Sequence, residues 1–262
     1  TSIYGIPFAG DALVMAYNPS LLKTPPKDLE TVLALGEVLV YPPADPQALF
    51  SLCTYLANGG SLQDKEGRPT LDEATLVDIF EYYQKAGQAG VMPVWLTELS
   101  TDAQVWEAFQ GSQYPLAFMW ASTYLSHMNG DSGTLAIAPL PTKSGSPFTL
   151  ATGWSWTLTD QDSHRRAQAV TLVEYLVDDE FLGKWTSAAG YLPPKGIPLQ
   201  YWSSEELRVE IASISISAIP APQAEVTSSL GPALEQAVVS VLKTQADPET
   251  AAQTVINQIH RP

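Results

Sequence analysis

Apolar residues in this chain cluster in two ways. Some fall in short unbroken runs, and others recur every three or four positions. Ala12-Leu13-Val14-Met15-Ala16-Tyr17 and Leu116-Ala117-Phe118-Met119-Trp120 are unbroken runs of strand length, as expected of strands covered on both faces. Val38 to Tyr41 and Ala136 to Pro141 predict two shorter strands, each stopped by proline. Ile3 to Phe8 reads as an extended segment broken at Ala9-Gly10-Asp11. Phe148 to Leu158 is also extended and carries Gly153, Trp154 and Trp156.

Helical spacing fills the intervals. Leu29, Val32 and Leu33 mark one helix, and residues 46–57 form another that ends at Asn58-Gly59-Gly60. Thr70 with Glu73 forms a capping box for a helix through Leu71, Ile79, Phe80 and Tyr83 to Gly87. A helix through Val105, Trp106 and Phe109 stops at Gly111. Val170, Val173, Leu176 and Val177 share a helical face, Phe181 to Trp185 starts a short helix, and Gly190-Tyr191-Leu192-Pro193-Pro194 breaks the chain. Leu207 to Ile214 and Leu234 to Leu242 read as helices, with a loop at Pro220 to Pro222 between them. Asp247-Pro248-Glu249 opens a last helix whose core face is Ala252, Val255, Ile256 and Ile259. Strands alternating with helices predict an α/β architecture.

Charge narrows the choice of partner. The 262 residues carry a formal charge of −15, which argues against nucleic acid and against an anionic membrane surface. No apolar run approaches the ~18 residues of a spanning helix, so no direct membrane insertion is expected. The chain opens without a signal peptide or lipobox, the mark of a mature or trimmed product or of a cytoplasmic protein. Cys53 is the only cysteine, so neither an internal disulfide nor a thiolate metal cluster can form. His127, His164 and His260 are scattered without metal spacing, and no Gly-x-Ser-x-Gly elbow or phosphate loop is present. Neither a catalytic residue nor a metal or cofactor is predicted. Seven tryptophans and eleven tyrosines, beside 13 basic residues, supply surfaces that are apolar on the ring face and polar at the edge.

Four stretches in order resemble the type 1 extracellular solute-binding proteins, the maltose-binding-like sugar receptors of bacterial ABC importers. Residues 4–22, Tyr-Gly-Ile-Pro-Phe-Ala-Gly-Asp-Ala-Leu-Val-Met-Ala-Tyr-Asn-Pro-Ser-Leu-Leu, are similar to that family's first crossover between lobes. Residues 108–124 resemble its glycine-stopped helix and the strand running to a stacking aromatic. Gly-Trp-Ser-Trp-Thr-Leu at 153–158 and Ser-Ala-Ala-Gly-Tyr-Leu-Pro-Pro at 187–194 resemble its second crossover and a proline corner. The resemblance implies a type II periplasmic-binding-protein-like fold, mostly second lobe with part of the first. Residues 1–11 would be the crossover segment, 12–150 with 207–262 the second lobe, and 151–206 the partial first lobe. The family places a further stretch, on the order of 100 residues, ahead of the first crossover. Without it the helices at 164–189 are expected to leave an apolar face open. The implied function is to bind a small carbohydrate outside the cytoplasm, from a lipid-anchored precursor, and pass it to a membrane permease. A sensor domain of a larger receptor, or a glycoside hydrolase, is the alternative.

A sugar pocket needs rings to stack on the C–H face and acceptors for hydroxyls. On the resemblance, Asp11 is the polar contact beside the crossover; by itself it reads equally as a turn-capping aspartate after Gly10. Tyr124 falls at the stacking position, and Trp120 divides between core and pocket. Gly153 lets the backbone approach a ligand and Trp154 follows it into the site, while Trp156 packs deeper in the lobe. Gln47 matches a contact at a helix start. Val226-Thr227-Ser228-Ser229-Leu230 reads as a lobe loop lacking the aromatic that maltose-type binding uses, which argues against a long oligosaccharide.

Overall fold

A computed structural model describes residues 4–111, 113–128, 135–160 and 162–259. Ile3 and His260 lie outside the described residues. One long strand organises the molecule. β1 (Ile6–Tyr17) pairs through its second half with β3 (Leu116–Trp120) and β4 (Ala136–Ala138), and through its first half with β5 (Thr149–Trp156), all antiparallel. Two short strands, β2 (Leu39–Val40) beside β3 and β6 (Ala218–Pro220) beside β5, pair in parallel. The order is β2-β3-β1-β5-β6, with β4 also against β1. Leu13, Val14, Met15 and Ala16 are fully buried, as an unbroken apolar run requires.

The expected break at Ala9-Gly10-Asp11 does not occur. These residues stay in β1, paired with Trp154, Gly153 and Thr152, and the irregularity is a register shift between Pro7 and Ala9. Read locally, Gly-Asp is a turn; a partner strand that satisfies its backbone groups overrides that preference.

Helices cover the sheet. α4 (Asp102–Phe109) and α5 (Ala121–Met128) lie against β3, and α8 (Glu205–Ser217) lies against β1 and β4. α2 (Leu49–Ala57), α3 (Glu73–Gln88), α9 (Ala224–Leu242) and α10 (Pro248–Ile259) pack together, burying Leu52, Phe80, Leu234 and Val255. α9 is longer than expected: the presumed loop at Val226–Leu230 is its opening turns, with Thr227 and Leu230 buried. Pro232 reads as a breaker, but one lost hydrogen bond is outweighed by burial of Leu230, Leu234 and Val238.

Aspartates start several helices. Asp28 caps α1 (Leu29–Leu35), and Asp247 accepts the Thr250 amide at the start of α10. α3 is capped by Asp72, which accepts the Thr75 amide at 2.8 Å, and not through the pair Thr70 and Glu73. Asp72→Ala is expected to cost about 1 kcal/mol, read as a lower urea midpoint at unchanged slope.

α6 (Ser163–Leu176) and α7 (Asp179–Ala189) form a separate outwork. α7 packs on the short 3-10 helix Ile197–Tyr201. α6 touches chiefly α7 and buries Val173 alone, leaving Val170, Leu172 and Tyr175 exposed. The apolar face of α6 is therefore open, while α7 buries Leu182 and Thr186.

Candidate ligand cleft

Where β1 and β5 cross out of the main sheet they leave a cleft of about 570 Å³. Its walls are β1 from Pro7 to Ala12, β5 from Ala151 to Ser155, the corner Leu192–Pro194, and β6 with Ala221. The corner is tied to β1 by two backbone hydrogen bonds, Gly10 N–H to the Leu192 carbonyl (2.7 Å) and the reverse (2.8 Å). Most of the lining is apolar. Among the described residues, Asp11 is the one ionisable side chain in it.

Asp11 is 5% exposed. The amides of Ala12 and Ser122 donate to its Oδ1 at 2.9 and 3.0 Å, and the Ser122 hydroxyl donates to Oδ2. It thus caps α5 across 111 positions of sequence, not the local turn its neighbours imply. The Ser122 hydroxyl is the one donor to Oδ2, which keeps a second lone pair. Burial pushes its carboxyl up to about 6; the hydrogen bonds from Ser122 and Ala12 oppose the shift, and Asp102 adds to it. Asp102, at the start of α4, grips the same turn by accepting from the Trp120 amide (2.6 Å) and the Thr123 hydroxyl (3.0 Å), and burial raises it too.

Trp154 projects from β5 with 45% of its surface exposed, and its ring meets Tyr191 edge to face at 5.0 Å. Gly153 also lines the cleft, but its smallness serves the neighbouring strand: a Cβ there would lie 2.6 Å from the Ala9 carbonyl oxygen. Asp11, Gly153 and Trp154 are thus brought together.

The other candidates lie outside this lining. Tyr124 is buried in the core, its hydroxyl donating to the Leu135 carbonyl at 3.0 Å and pushed up to about 12 by burial. Trp120 ends β3 opposite Leu13 and packs partly buried against the core. Gln47 is exposed in the turn before α2, which begins at Leu49 and not at 46; this turn packs closely on Gly231 of α9. Trp156 is not deep in a lobe: it is 38% exposed and stacks on Phe8 at 4.4 Å. Tyr191, Pro193 and Ile219 were missed by sequence reasoning. Tyr191 and Pro193 sit in the Gly-Tyr-Leu-Pro-Pro break, whose proline pair was the available signal.

Among the described residues no group of three His, Cys, Asp or Glu is placed to hold a metal ion. Cys53 is buried, and its thiol is pushed up to about 12 by burial, away from reactivity.

Residues 1–196 match the family model of the bacterial extracellular solute-binding proteins. The chain belongs to this family. The resemblance read from the crossover segments is borne out, and membership places this solute-binding protein outside the cytoplasm. No curated protein matches the sequence. Solved structures share its fold. A maltose-bound binding protein of T. maritima is 18% identical with a TM-score of 0.76, over 98% of this chain and 72% of that one. The cyclic alpha-maltosyl-1,6-maltose binding protein of Arthrobacter globiformis is 16% identical with a TM-score of 0.77, over 98% and 71%. A maltodextrin-binding domain from Bdellovibrio bacteriovorus, bound to maltotriose, is 21% identical with a TM-score of 0.69, over 98% and 72%. These likenesses establish the type II periplasmic-binding-protein fold. Among the described residues no helix is long and apolar enough to cross a membrane.

Proposed function

We propose that this solute-binding protein carries an uncharged carbohydrate in the β1/β5 cleft and delivers it to an ABC permease, without acting on it chemically. The observation that carries the reading is the lining: a half-open indole, one already hydrogen-bonded carboxylate, and no cation among the described residues. An anionic solute would face Asp11 unpaired, and a cation would gain little from a carboxylate already holding three donors. A neutral ring can stack its C–H face on Trp154 and donate one hydroxyl to Asp11. Structures sharing the fold hold maltose, maltotriose and tagatose, which supports the same class.

The same reading takes residues 12–150 with 207–262 as the second lobe and 151–206 as part of the first, with the cleft at their junction. The passage of β1 and β5 between two parts of the sheet supports it. Tyr124, Trp120 and Gln47 would then serve the ligand only through a wider opening than the cleft described here.

Calorimetry across maltose, maltotriose, tagatose and spermidine tests the proposal. Neutral sugars should bind better than the polyamine, and Trp154→Ala should weaken sugar binding about five-fold, the worth of roughly 1 kcal/mol of stacking. Tighter binding of spermidine, or an indifferent Trp154→Ala, would overturn it.

A further inference from the structure

We propose that Tyr191 is a positioning residue for Trp154, holding the indole in one orientation so that its free face is presented to the cleft; the ligand part of this rests on the reading above. The two rings differ in how firmly they are held. Trp154 stands on an exposed stretch of β5 with nearly half its surface in solvent. A tryptophan's second side-chain torsion is broad and has two main settings, so burial alone does not fix such a ring.

Tyr191 is pinned from several sides. Its amide donates to the Thr186 carbonyl at 3.0 Å, just past Gly190, whose φ of 74° ends α7 in the left-handed region. The next residue, Leu192, is held to Gly10 by the paired backbone bonds. The Tyr191 ring stacks on Trp185 of α7 at 6.1 Å and 14°, and Trp185 in turn meets Phe8 of β1 at 5.5 Å. Phe8 stacks on Trp156, two residues beyond Trp154 on the same strand. A continuous series of rings thus leaves β5 at Trp156 and returns to it at Trp154, and the exposed ring is its last member. Its contact with Tyr191, at 5.0 Å and 65°, is the edge-to-face geometry that ring quadrupoles favour. The fixed partner therefore orients the free one.

The test labels the protein with 5-fluorotryptophan, the Trp154 resonance being assigned by its loss in Trp154→Phe. Tyr191→Phe keeps the ring contact and should leave that resonance in place. Tyr191→Leu should shift and broaden it, and Tyr191→Met should do the same should the leucine variant fold poorly. Maltotriose affinity should drop about five-fold in the leucine or methionine variant and hold in the phenylalanine one. A Trp154 resonance unmoved by Tyr191→Leu or Tyr191→Met overturns the proposal, whatever those changes do to stability. The fluorine signal needs no ligand. Failure of every sugar to bind would therefore overturn the cleft reading and leave Tyr191's hold on Trp154 to be decided by the spectrum.

Discussion

Gly153→Val is expected to destabilise the fold by about 3 kcal/mol, with Gly153→Ala showing part of the same effect. A Cβ at this position would sit 2.6 Å from the Ala9 carbonyl oxygen, a separation that non-bonded atoms do not hold. That oxygen cannot swing aside, because Ala9 belongs to β1 and is paired there with Trp154. The strands must separate or the ladder must slip, and either exposes backbone groups now satisfied. Gly10, opposite Gly153, provides the control. Its Cβ would come no nearer than 3.4 Å to the Leu192 carbonyl, so Gly10→Ala should be mild. Urea unfolding of the two alanine variants separates them, and equal losses would contradict the account. Because Trp154 follows directly, the harmful change should also alter its fluorescence.

The chain is expected to be more stable near pH 5 than at pH 7.5, with Asp11 supplying about 1.4 kcal/mol of the difference at most. Folding raises this carboxyl from 3.8 to about 6, chiefly through burial, so the folded chain holds the proton more tightly than the unfolded one. The stabilisation from protonation is complete below the unfolded value and is lost as pH rises through about 6. Asp102, Glu210 and Glu235 are raised by burial and act in the same direction. The helix-capping aspartates Asp28, Asp72 and Asp247 are lowered, first by their threonine amides, and act oppositely. Their contribution is lost as pH falls through their depressed values, so the optimum lies on the mildly acidic side. Asp11→Asn isolates the main group. The amide oxygen can keep both N–H donors, and its nitrogen can donate to the Ser122 hydroxyl, which reverses role. Urea midpoints measured from pH 4.5 to 7.5 should rise toward acid less steeply in the variant; parallel profiles would refute the assignment.

Most elements were legible because their signals are local. Unbroken apolar runs gave β1 and β3, and 3.6-residue spacing with Asp-Pro at the start gave α10. Errors fell where a local preference met a stronger distant partner. Ala9-Gly10-Asp11 looks like a turn but has β5 beside it, and Val226–Leu230 looks like a loop but opens a helix with a buried face. Thr70 with Glu73 fits the capping-box pattern, but Asp72 lies within reach of the Thr75 amide and takes the role. In the cleft, the crossover motif located Asp11, Gly153 and Trp154. It could not show that Tyr124, four residues past Trp120, turns into the core on α5.

The sequence by itself determined the α/β alternation and the family, because these rest on periodicity and on motifs read within a few residues. Only the tertiary structure decided what each polar or aromatic group does. Asp11 meets Ser122 across 111 positions, Trp154 meets Tyr191 edge to face, and Gly153 is small for the sake of Ala9. A side chain's role depends on which groups share its few ångströms of space. Strand pairing and helix packing set that neighbourhood across the whole chain, and no local pattern encodes it.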